Sequence, residues 1–162
     1  MSYQQFISWL DATALSTQFK MTAWVVPAFQ SIHILAIGVV VAVAAVLSLR
    51  LLGLSARHVS IASLTERLLP PTWWALAVLL LSGAVLIIAE PTRALTNRFF
   101  FIKMICLVLL VPLARRFHRA VQSQPQRWNE VSIVSPAMRP VVVVAMLLVT
   151  AIIFCGRWIA YA

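Results

Sequence analysis

Acidic residues are the scarcest feature of this chain. Asp and Glu number 4 in 162 residues, and charged residues of both signs make up 10%. A typical soluble domain carries about 25%. So few charges cannot dress the surface of an 18.0 kDa soluble domain. An ordinary soluble enzyme is excluded, and so is a disordered chain. Cysteine is also sparse. Cys106 and Cys155 are the only 2, both inside apolar runs, which argues against a disulfide framework and leaves no CxxC zinc spacing. Internal repeats and low-complexity segments are lacking. The start of the chain lacks the basic residues and apolar core of a cleavable signal, so the first apolar run is expected to act as an uncleaved one.

What the chain has is apolar sequence. Hydrophobic residues make up 62%, and the mean hydropathy is +0.97. These values indicate an integral membrane protein forming one transmembrane domain over residues 1–162. The net charge of +9 does not indicate nucleic acid as a partner. The bases sit at the ends of apolar runs, where the positive-inside rule puts them. No basic stripe interleaves with stacking aromatics. The partner implied is the lipid bilayer.

Four apolar runs are present, at 21–49, 68–89, 99–114 and 140–156. A span needs about 20 apolar residues. The spans expected are 24–49, 72–89, 99–114 and 140–157, giving an all-α, integral-membrane four-helix bundle. Pro70-Pro71 should form the entry of the second helix, since proline suits a first helical turn. Trp73 and Trp74 then sit at headgroup level. The third run is short and interrupted by Lys103. Arg157, Trp158 and Tyr161 anchor the end of the fourth. Residues 2–13 read as a short amphipathic helix on the membrane surface. Ser2 and Gln5 have capping-box spacing, and Phe6, Trp9 and Leu10 share a face.

Four spans place both termini on one side. The loops of the other side hold Arg50, Arg57, Arg67, Arg115, Arg116, Arg119, Arg127 and Arg139, against Lys20, Arg93, Arg98 and Arg157 on the side of the termini. The excess of bases puts both termini in the periplasm of a bacterial inner membrane.

Ionisable groups inside a membrane are costly and point to function. His33 lies about nine residues beyond Trp24, roughly 13 Å below the outer interface at about 1.5 Å per residue. Lys103 follows Arg98 at the start of the third run, which runs parallel to the first. Both groups therefore fall in the outer leaflet. Glu90, Met104, Cys155, Arg98 and Arg157 belong to the same level or to its mouth. His58 and His118 belong to the cytoplasmic end. Simpler roles compete: a histidine bonded to a neighbouring helix, a lysine snorkelling to the interface, cysteines and Met104 that only pack, and Glu90 capping its helix or pairing with Arg93. Ser82-Gly83 reads as a close helix contact.

An imidazole and cations between membrane helices suit a b-type heme. His33 is the candidate metal ligand, and Arg98, Arg157 or Lys103 are candidates for the propionates. A neutral Lys103 amine is a candidate second ligand. Copper is the alternative metal, with His33, Met104 and Cys155 as soft or borderline ligands.

The segments HILAIGVVVAVAAVLSLRLLG (33–53), ERLLPPTWWALAVLLLSGAVLI (66–87) and NRFFFIKMICLVLLVPLARRFHR (97–119) carry a resemblance over roughly residues 24–119. Their order resembles a superfamily of small bacterial four-helix membrane proteins. It includes the HemJ-type protoporphyrinogen oxidases, the CopD-type copper-resistance membrane domains, and a family of unknown function with LDLRLLG and N-x-x-F-x-x-K patterns. The last is most similar. In the HemJ-type proteins the histidine of the first HI motif binds heme and a lysine of the third helix is required. The resemblance carries those roles to His33 and Lys103. The chain departs from the pattern at Ser48, where the related family has aspartate. It departs again at 39–42, where the HemJ-type W-x-x-G is absent.

The reading that results is an inner-membrane protein binding heme b for redox chemistry or electron transfer. It would act alone, as a homo-oligomer, or in a larger complex with a membrane redox partner, with a HemJ-like oxidoreductase as the enzymatic form. A non-catalytic subunit without a cofactor and a copper-handling protein are the alternatives.

Overall fold

A computed structural model of the chain describes residues 2–55, 58–124, 126, 128, 139–159 and 161. Among the described residues there are helices and no strand. In chain order they are α1 (Tyr3–Asp11), α2 (Ala14–Met21), α3 (Val25–Leu51), α4 (Ile61–Ala89), α5 (Pro91–Leu95), α6 (Arg98–Ser123) and α7 (Arg139–Trp158). Valine-rich stretches such as 39–41 and 141–144 would favour a strand in water. They are helical here. Within a bilayer a helix satisfies its backbone groups internally, and that requirement outweighs side-chain preference.

Helices α3, α4 and α7 are long and apolar enough to cross a membrane. Most of their surface faces outward and is apolar, as at Ile34, Leu35, Leu80, Leu81 and Leu147. Helix α6 is 26 residues long. It carries Arg98, Lys103, Arg115, Arg116 and Arg119, and these charges set it apart from the other three. The closest packing pairs α3 with α4 and α6 with α7, while α3 also touches α7 and α4 touches α6.

The four long helices meet at two levels. At one end Leu51, Ile61, Ala62, Val121 and Val142 form a buried cluster, with Leu52, Phe117 and Trp128 against it. The turn leaving α3 is fixed there by a Schellman arrangement. Gly53 takes φ 72°. Its N–H reaches the Arg50 carbonyl, and the Leu54 N–H reaches the Leu49 carbonyl. Arg50, 3% exposed, ties the loop back by donating from Nε to the Val59 carbonyl at 2.7 Å. At the opposite end lie α1, α2 and α5, together with the start of α3 and α6 and the finish of α4 and α7.

The short helix read over 2–13 is present as α1 (Tyr3–Asp11), with its capping box at Ser2 and Gln5. A second helix, α2, follows it, capped by Thr13, which accepts from the Ser16 N–H. The chain turns because a new side-chain cap competes with continuing the old helix. Tyr3 Oη donates to the Leu95 carbonyl at 2.6 Å, which docks α1 on α5.

One expectation is corrected: Pro70-Pro71 does not open the second long helix. That helix begins at Ile61, capped by Ser60, and the prolines lie inside it. Their rings free the carbonyls of Glu66 and Arg67. Both residues are exposed near the helix start, so water can take those carbonyls. Helix α4 spans about 43 Å at 1.5 Å per residue, longer than a ~30 Å hydrocarbon core. Its first turns therefore extend beyond an apolar layer of that thickness.

Candidate functional site

The site forms where α3, α4, α6 and α7 converge near the N-terminal helices. Helix α3 presents His33 about two turns from its start, and α4 presents Ser82 about two turns from its finish. The His33 Nδ1 and Ser82 Oγ atoms are 2.8 Å apart. This contact requires α3 and α4 to run antiparallel. Ser82 is 2% exposed, and its hydroxyl donates to the Val78 carbonyl of its own helix at 2.6 Å.

Lys103 comes from the second turn of α6. Its Nζ lies 3.5 Å from His33 Nε2. The shared depth of these two residues is thus a contact in the structure. Lys103 turns inward to the imidazole and not outward to the interface, although both groups remain half-buried. The amine rests against α7, where a Cβ on Gly156 would stand 3.7 Å from Nζ. On the other flank a Cβ on Gly83 would stand 3.5 Å from His33 Cε1. Both distances are ordinary van der Waals contacts, so each polar side chain faces a glycine that leaves room for a methyl group. Cys155 is buried, and both cysteines are free thiols.

The remaining candidates are arranged around this pair. Met104 is half-buried. It points about 100° away from Lys103, the rotation between successive helix residues. Arg98 is exposed and lies over the Phe99 ring at 5.4 Å. Arg157 donates to Tyr161 Oη at 2.7 Å and lies over that ring at 5.1 Å. Arg98 stands at the start of α6 and Arg157 at the finish of α7. Glu90 accepts from Arg93 at 2.9 Å, the pairing alternative for that residue. Lys20 and Asp11 form a second pair, at 2.5 Å. Among the described residues, no three of His, Cys, Asp and Glu gather as a metal-ligand group. His118 sits near the far end of α6, beside Phe117 of the buried cluster, as its sequence position implies.

Ser82 is the partner of His33 that composition does not mark. A serine beside glycine on an apolar helix reads as a packing contact. The chain matches no protein-family model, no curated protein sequence and no solved structure.

Proposed function

We propose that the chain is a multi-pass bacterial inner-membrane protein that binds heme b through His33 and serves membrane redox chemistry or electron transfer. Four crossings and periplasmic termini complete the reading. The fourth crossing is α6, whose apolar part lies along α7, an apolar helix long enough to span. The basic residues Arg67, Arg115, Arg116, Arg119 and Arg139 belong to the end opposite His33, the arrangement that the positive-inside rule associates with the cytoplasm.

The single observation that carries the heme reading is the meeting of His33 with Lys103 at 3.5 Å between apolar helices. An intramembrane imidazole with a cation beside it suits an iron porphyrin with acidic side arms. The donor set fits the group in part. His33 would hold the iron through Nε2. Lys103, whose Nζ lies 3.5 Å from that nitrogen, would meet a propionate on its flexible four-carbon stem or, as a neutral amine, serve as the second ligand. Arg98 and Arg157 are the other candidates for the propionates. Heme, when bound, supplies one-electron chemistry; the protein orients the imidazole, neutralises the propionates and excludes water.

The test is the visible spectrum of protein purified in detergent, with and without added hemin. A Soret band that His33→Ala abolishes or shifts is expected. No Soret band under either condition would sink the heme reading. Copper by elemental analysis without that band would favour the copper alternative.

A second reading has its own observation. Both ring nitrogens of His33 already have polar partners within the protein. The trio would then be a cofactor-free clamp between helices of a non-catalytic subunit. In that case His33→Ala would lower stability in detergent, and the spectrum would show protein absorbance only.

A further inference from the structure

We infer that Ser82 is the positioning residue of His33: it fixes the imidazole proton on Nδ1 and leaves Nε2 as the bare nitrogen facing Lys103. The extension to an iron ligand rests on the function proposed above; the tautomer itself does not.

The argument counts protons. The Ser82 hydroxyl has one hydrogen and two lone pairs. Its oxygen lies 2.6 Å from the Val78 carbonyl and also faces the Leu79 carbonyl at 3.4 Å. A carbonyl can only accept, so the hydroxyl hydrogen is committed to α4. The same oxygen lies 2.8 Å from His33 Nδ1. With its hydrogen spent, Ser82 can only accept there, and Nδ1 must carry the proton. The other ring nitrogen lies 3.5 Å from Lys103 Nζ, at the long limit of a hydrogen bond. The short Ser82 contact therefore assigns the tautomer, and it leaves Nε2 bare toward Lys103. Ser82 is 2% exposed, so bulk water does not compete for its oxygen.

The consequence is chemical. A ligating histidine typically donates its second ring N–H to an oxygen, which orients the ring and raises the basicity of the ligating nitrogen. Ser82 supplies that oxygen from a neighbouring helix. The bond from Ser82 to Val78 fixes the hydroxyl rotor and with it the direction of the free lone pair. Free neutral histidine prefers the proton on Nε2, so the opposite tautomer is a specific outcome of this packing.

The full chain, labelled with ¹⁵N-histidine and kept in detergent without heme, tests the assignment by long-range ¹⁵N–¹H correlation. His33→Gln identifies the His33 signals among those of His33, His58 and His118. The expected pattern for His33 is a pyrrole-type Nδ1 and a pyridine-type Nε2. Ser82→Ala should shift the proton toward Nε2, and Ser82→Thr should keep it on Nδ1. A proton on Nε2 in the unaltered protein, alone or together with one on Nδ1, overturns the inference without recourse to any variant. An unchanged pattern in a folded Ser82→Ala protein also overturns it. Adding hemin to the same samples separates the two claims: absence of a Soret band would end the heme reading and leave the tautomer to stand or fall on the nitrogen spectra.

Discussion

Lys103 and His33 each face a glycine, Gly156 and Gly83 respectively. A Cβ at Gly156 would make ordinary van der Waals contact with Lys103 Nζ, and one at Gly83 with His33 Cε1. Alanine should therefore be accepted at either position. A longer side chain would occupy the space of the polar group it faces. Gly156→Leu is expected to push Lys103 away from His33 and to cost about 1–3 kcal/mol of overpacking strain. The checks are the unfolding midpoint in detergent and the His33 Nε2 shift, with Gly156→Ala as the variant that leaves both near their original values. His33 and Lys103 were legible in the sequence because charge is so scarce that its placement can be read. Ser82 was hidden by its chemistry, since a hydroxyl that bonds its own helix is cheap in a membrane and common there. A depth signal was nonetheless available. Ser82 lies about eight residues, roughly 12 Å, before Glu90, close to the depth at which His33 follows Trp24.

At the scale of elements, the long helices were visible as apolar runs, and their ends were partly misread. The Pro70-Pro71 pair suggests a start for the second helix, but Ser60, ten residues before Pro70, is the cap that starts it. A polar cap followed by a mixed first turn is a weaker signal than a proline pair, yet its hydrogen bond decides the boundary. The N-terminal segment shows the same physics: α1 stops at Asp11 with Ala12 as its C-cap, and Thr13 caps the next helix. Docking of α1 depends on long-range contacts that no local pattern announces. Tyr3→Phe removes the hydrogen bond to Leu95 and should cost about 1 kcal/mol locally. Hydrogen exchange of the amides of residues 3–11 should quicken, while those of the long helices stay protected. Equal exchange in both proteins would show that the ring contact with Phe101, at 6.5 Å, suffices to hold α1.

Over the whole molecule, a polar pair lies at one end and an apolar cluster at the other, with arginines around the latter. If the proposed topology holds, the His33 level lies in the periplasmic leaflet. A reporter fused after Ala162 should then be active in the periplasm, and one inserted between Gln124 and Arg139 should be active in the cytoplasm. The reverse pattern would invert the molecule while leaving its internal contacts intact. The number of crossings turns on α6, because its charges separate it from the other long helices. A third reporter at Thr96, between α5 and α6, together with the one between Gln124 and Arg139, brackets α6. The function turns on one nitrogen. The most direct measurement is a hemin titration of the purified protein followed by its Soret absorbance, run beside His33→Ala. Saturation at a fixed heme-to-chain ratio that is lost in His33→Ala is the result expected. A featureless titration, or one that His33→Ala leaves unchanged, would contradict His33 as a heme ligand.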